Sequence, residues 1–155
     1  MNRIYCIIGK FAETTQLIEL RLGEICEKSE IVKEFGRHQK MTTADFNQVV
    51  EDAAFLKEKM ETMTFGQIIG TVYNSRSLSK DEVDQLKILL EKRNYFTHEY
   101  FKYTNYTNAT EDFIVEEFEA IKADLIKLKQ MLNRLNIIDG NLSNRLSFLR
   151  NKNGL

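Results

Sequence analysis

The sequence predicts an all-α fold, an up-and-down helical bundle of about five helices. Three observations carry that expectation. No proline interrupts the 155 residues, only 7 glycines are present, and Glu, Lys, Leu and Ile are plentiful, a composition that favours uninterrupted helices over turns and strands. Apolar residues recur at steps of three and four through most of the chain. Hydrophobic residues make up 43%, which at this length is enough for one domain with its own core.

In the first segment Ile4, Ile8, Phe11, Thr15, Ile18, Leu22 and Ile25 form one stripe. It predicts a helix over Asn2 to Glu27, widened by Ile7, Leu17 and Leu20. Gly9 and Gly23 would let another helix approach it closely. From Lys28 to Met41 the pattern dissolves into a polar connection, with a glycine stop at Gly36 and with His38 as an exposed loop residue. Thr42 or Thr43 can cap a second helix from about Ala44 to Met60, along Phe46, Val49, Ala53, Leu56, Met60 and Met63. Thr64 caps a short apolar third helix through Phe65, Ile68, Ile69 and Val72, ending near Tyr73.

Ser79 with Glu82 three residues on is the capping-box pattern, and opens a long fourth helix near Lys80. Its apolar face, Val83, Leu86, Leu89 and Leu90, turns polar midway: continued by helical turns, it meets Arg93 or Asn94 and then Thr97 or His98. An uncharged connection from Thr104 to Asn108 leads to a helix started by Thr110 and Asp112. There Ile114, Phe118, Ile121, Leu125, Leu128, Leu132 and Leu135 predict a bundle helix packed antiparallel on the first one. Gly140 is expected to end it. That divides the chain into a helical bundle over 1–140 and a tail over 141–155, whose Leu142, Leu146 and Leu149 suggest a short docked helix with a basic end.

Lys plus Arg total 22 against 23 Asp plus Glu, so no global basic field exists and any nucleic-acid contact must be local. Cys6 and Cys26 fall on one helix about 30 Å apart, beyond disulfide reach, and read as buried free thiols in a reducing cytosol. The N-terminal apolar run lacks a small-residue cleavage site, and no window approaches a membrane span. A cytoplasmic protein without membrane contact is expected. No cofactor is implied either. A di-iron site needs Glu-x-x-His pairs, but Tyr95 stands three before His98 and Phe35 three before His38. The cysteines and histidines show no zinc spacing.

Arg93 and His98 remain as the candidate chemistry. Two readings are open. In the structural one, Asn94 and His98 are helical neighbours four apart, and Arg93 pairs with Glu91 or with a carboxylate on a facing helix. In the functional one, they cleave a phosphodiester without metal. Histidine exchanges protons near neutral pH, arginine offers a rigid fork to phosphate oxygens, and RNA supplies its own 2′-hydroxyl nucleophile. A spacing of five separates side chains by about 140° on an ideal helix. A two-fold homodimer with this segment at its axis would bring the arginine of one subunit to the histidine of the other.

The run Arg93-Asn94-Tyr95-Phe96-Thr97-His98-Glu99-Tyr100 resembles the R-x4-H motif of HEPN domains, with the frequent polar residue after the arginine. It also fits the longer R-x4-H-x-Y form of HEPN toxins paired with nucleotidyltransferase antitoxins. The resemblance implies a dimeric all-α bundle and a metal-independent endoribonuclease, of the kind found in toxin–antitoxin, phage-defence and RNA-processing systems. It implies His98 as general acid or base, Arg93 as phosphate ligand, and Asn94 as a residue that orients the histidine or contacts substrate. Tyr100 would be the target of inhibitory adenylylation by a nucleotidyltransferase-type antitoxin. Beside this stand a non-catalytic HEPN-like module holding a nucleotide or a protein, and a purely structural helical dimer. For Tyr100 the residue pattern itself reads as aromatic packing, with Phe96, Phe101 and Tyr103 nearby.

Overall fold

The computed structural model describes residues 2–104 and 106–155, and every regular element among them is helical. The expected connection after Tyr103 includes Asn105, which lies outside the described residues. In order, the elements are α1 (Asn2–Arg37), α2 (Thr43–Glu61), α3 (Phe65–Ser75), α4 (Lys80–Asn94), a π-helical turn (Tyr95–Glu99), α5 (Tyr100–Tyr103) and α6 (Glu111–Asn153). The π turn joins α4 to α5 in one continuous element. Counted that way the bundle has five members, as the periodicity predicts.

The helix starts follow the expected chemistry. Thr42, Thr64 and Ser79 each close a reciprocal capping box, with Asp45, Gln67 and Glu82 respectively, and the Thr110 hydroxyl accepts from the Phe113 amide. Two helix ends differ from expectation. α1 does not stop near Glu27 but runs to Arg37, so Lys28 to Arg37 is helix rather than a polar connection. The reason is a core that the local pattern understates: Ser29, Ile31 and Phe35 are buried, Lys33 and Glu34 are half-buried, and Arg37 is exposed. His38 follows directly, half-buried, with Nδ1 2.8 Å from the Glu34 carbonyl oxygen.

α6 likewise passes through Gly140 and continues for three more turns. A glycine inside a helix costs about 1 kcal/mol relative to alanine. Docking of Leu146, Leu149 and Leu155 onto a second cluster of Ile31, Phe35, Met41 and Ala53 outweighs that. The Met41 amide donates to Asn153 Oδ1 (3.3 Å), and the Arg150 guanidinium stands over the Phe46 ring (5.1 Å). The residues expected as a tail are therefore the end of α6, and the glycine that terminates it is Gly154, in the left-handed region at φ 70°.

Contacts set the directions of α2, the α4–α5 element and α6 relative to α1. Lys57 pairs with Glu27 and Met60 lies beside Gly23, so α2 returns along α1. Phe96 packs on Phe11 and Phe101 on Tyr5, which runs the α4–α5 element antiparallel to α1 as well. Arg134 donates to Glu82 (2.6 Å) and Lys92 to Asp124, so α4 is also antiparallel to α6. Buried Asp139 accepts from Lys28 (2.7 Å) and Arg21 (3.2 Å), while Arg3 shares a groove with Phe118. Position advances on both helices together, so α1 and α6 are parallel, not antiparallel. In an up-and-down bundle the first and fifth members must point the same way.

The main core joins Ile4, Phe11, Ile18, Leu22 and Ile25 of α1 to Ile121, Leu125, Leu128 and Leu135 of α6, with α3 and α4 closing its sides. Leu17 and Leu20, expected to widen the α1 stripe, are about half exposed. Neither expected glycine contact is required: a methyl at Gly23 would meet Lys57 at an ordinary 3.8 Å, and Gly9 faces open space. The two thiols also part company. Cys26 is buried as expected, but Cys6 is exposed. Burial pushes the Cys26 thiol up to about 11, against the opposing hydrogen bond of Ser75. Alkylation of the native protein at about pH 8 should therefore label Cys6 and spare Cys26, read by peptide mass spectrometry. Equal labelling would show that the α1–α3 contact opens.

Candidate functional site

The expected site falls where the fourth helix changes character. Between Asn94 and Tyr100 the backbone widens into the π turn, in which the Tyr100 amide reaches back five residues to the Tyr95 carbonyl. Thr97 contributes to the interruption: its hydroxyl donates to the Arg93 carbonyl (2.8 Å), a side-chain bond of the kind that bends helices. Isolated π turns are uncommon and concentrate at functional positions.

The turn also changes which side chains are neighbours. In an α-helix residues four apart stack because the hydrogen-bonded loop closes over four. In a π turn the loop closes over five, which narrows the angle between residues that span it; Arg93 lies in α4 just before the turn and His98 lies within it. The two side chains do not bond each other. The Arg93 Nη1 donates to Asn94 Oδ1 (3.1 Å), which ties the guanidinium to its neighbour. Arg93 is half-buried and faces Glu19 on α1. Burial raises the Glu19 carboxyl above its ordinary value, and the nearby Arg93 charge opposes that rise. The structural reading expects Arg93 to pair with a facing-helix carboxylate; Glu19 is close enough to feel its charge, but the two form no ion pair among the described residues.

His98 is exposed, as are Asn94, Thr97 and Glu99, and its ring makes no hydrogen bond among the described residues. The core face does not pass through it. The inward positions after Leu89 are Phe96 and Tyr100, so the buried stripe continues on aromatics and the polar residues turn outward. Tyr100 is 1% exposed, and its hydroxyl bonds Glu117 Oε2 (3.0 Å) and the Tyr106 hydroxyl. Burial, then the bonds to Tyr106 and Glu117, push its ionisation well above the ordinary tyrosine range. Its hydroxyl is enclosed, and a modifying enzyme would reach it only after α5 opened. In this fold its ring packs against Tyr95, Phe96, Phe101 and Tyr106.

Three aromatics, Tyr5, Tyr95 and Phe101, are exposed on the π-turn element and on the part of α1 packed against it; of these Tyr5 alone has no place in the sequence pattern. Tyr5 stacks on Phe101 with ring centroids 4.8 Å apart, and Tyr95 meets Tyr100 edge-on at 5.9 Å. All three expose a large share of their rings. Tyr5 lies off the α1 stripe, which was the available signal. Among the described residues, no group of three or more His, Cys, Asp or Glu side chains gathers as a metal site would require. No described helix is long and apolar enough to cross a membrane. No protein-family model, curated protein or solved structure matches the chain.

Proposed function

We propose that this chain is a metal-independent endoribonuclease of HEPN-like type, acting on single-stranded RNA as a homodimer. The observation that carries the reading is the π turn, which begins between Arg93 and His98 and leaves the imidazole in solvent. The 2′-hydroxyl of a bound nucleotide attacks the adjacent phosphorus and expels the 5′-oxygen, leaving a cyclic phosphate and a free 5′-hydroxyl. His98 takes the proton from the attacking hydroxyl or delivers one to the leaving oxygen. Arg93, oriented by Asn94, stabilises the charge on the non-bridging oxygens. Tyr95 and the Tyr5–Phe101 pair present π faces on which unpaired bases stack, which favours single strands over duplex and needs no net positive charge.

A toxin role, in a toxin–antitoxin or phage-defence system with a nucleotidyltransferase-type antitoxin as partner, follows from the same resemblance. The second reading is a non-catalytic HEPN-like module that binds a nucleotide or protein; the proximity of Glu19 to Arg93 favours it, because it offsets the charge that phosphate would use. Incubating the purified protein with labelled single-stranded RNA in EDTA separates the two. The ribonuclease yields fragments ending in a cyclic phosphate. RNA that stays intact at high enzyme excess rules that reading out and leaves the binding module.

A further inference from the structure

On the solvent side of α6, the positions Asp112, Val115, Glu119, Lys122, Ile126 and Lys129 follow one another at steps of three and four, and all six are exposed. The stripe reads acid, apolar, acid, base, apolar, base, and inverts its charge about its midpoint between Ala120 and Ile121. Val115 and Ile126 are 53% and 50% exposed, although both are β-branched aliphatics. The stripe also borders two connected grooves between α1 and α6, of about 780 and 440 Å3, which share Asn2, Arg3 and Phe118. Glu111 and Glu119 line the first, whereas Arg3, Lys10, Lys122 and Lys129 line the second with no carboxylate among its walls.

We infer that this face is the homodimer interface, with α6 of a second copy lying antiparallel along α6 about a two-fold axis beside residues 120 and 121. An isologous interface requires a surface complementary to its own inverse. Here the two-fold sets Asp112 against Lys129, Val115 against Ile126, and Glu119 against Lys122, each pair twice. Arg3 and Lys10 flank the acidic half of the second copy. An acidic helix of another protein would complement only the basic half, and a nucleic-acid strand would be repelled by the acidic half; a second copy complements both.

One consequence bears on the catalytic site. Glu117 and Asp124, through which α6 meets α5 and α4, lie about half a helical turn away from this stripe. The two motif segments therefore face outward, away from the axis, and each site is built from one chain rather than across the dimer. The axis thus lies on α6 and not at the Arg93–His98 segment, where the functional reading of the sequence would put it; the inference rests on the homodimer of the proposed function, and not on its chemistry.

Sedimentation velocity on wild type and two charge variants tests it. Wild type sediments as a dimer at micromolar concentration. Glu119→Lys and Lys122→Glu each place like charges opposite one another twice, and should each weaken association by at least about tenfold. Mixing the two variants restores every pairing, so the mixture should recover a heterodimer. Each variant loses only an intrahelical ion pair of 3.5 Å, and helical circular dichroism confirms the fold. A monomeric wild type, a dimer indifferent to both variants, or a mixture that stays monomeric would each overturn the interface. RNA cleavage is read on the same samples: an inert dimer that obeys the charge pattern defeats the ribonuclease and leaves this surface standing.

Discussion

His98→Ala is expected to lower RNA cleavage in EDTA by about 10²- to 10⁴-fold, the usual contribution of a positioned general acid or base. The protein should otherwise be unaffected. The ring is exposed and carries no hydrogen bond among the described residues, and substitutions at such positions change stability by no more than about 0.5 kcal/mol. Loss of activity with an unchanged melting temperature, circular dichroism and sedimentation coefficient would thus report chemistry rather than folding. Cleavage that persists in the variant would remove His98 from the mechanism. Arg93→Ala is the less clean experiment, because it also takes a half-buried cation from beside Glu19 and frees Asn94.

Phe35→Ala should destabilise the fold by about 3 kcal/mol, in the range for deleting a buried aromatic side chain. Phe35 is 8% exposed, packs on Phe46 with ring centroids 5.9 Å apart, and belongs to the cluster that holds the ends of α1 and α6 together. For a domain of this size the loss corresponds to a fall in melting temperature of about 6–12 °C by calorimetry. The experiment distinguishes two descriptions of the same ten residues. In a polar connection the ring would be solvated and its removal nearly silent; in a continuous helix that seals a second core it is among the more costly changes available.

The contrast between those descriptions shows where local pattern stops being informative. Stripes such as Ile4 to Ile25 and Ile114 to Leu135 are dense enough that any window reveals a helix and its buried side. From Lys28 onward α1 keeps only two apolar residues, Ile31 and Phe35, buried at its far end, too few for a window to register, though the first half of α2 and the end of α6 cover them. Gly140 misled for the matching reason. Its intrinsic cost is visible in the sequence, whereas the docking of Leu146 and Leu149 depends on Ile31, Phe35, Met41 and Ala53, all far away in the chain.

The candidate site was legible in part. Arg93, Asn94 and His98 stood out because polar residues met an apolar stripe; in the fold Asn94 and His98 are exposed and Arg93 is half-buried. The π turn that separates Arg93 from His98 was not visible, although Phe96 and Tyr100, which it carries, pack edge-on against each other in the core. Glu19 and Tyr5 join the site only through the antiparallel packing of α1 and the fourth helix.

By itself the sequence determined the all-helical class, five bundle members, the capping boxes at Thr42, Thr64 and Ser79, and most of the buried stripes. These depend on residues within a turn or two of one another. Only the tertiary structure decided the true ends of α1 and α6, their parallel course, the burial of Tyr100 and the π turn beneath Arg93 and His98. The helix ends, their course and the burial of Tyr100 are settled by packing between segments distant in the chain, where the free energy gained at a contact overrides the preference of the local residues; the π turn also draws on the local Thr97–Arg93 bond.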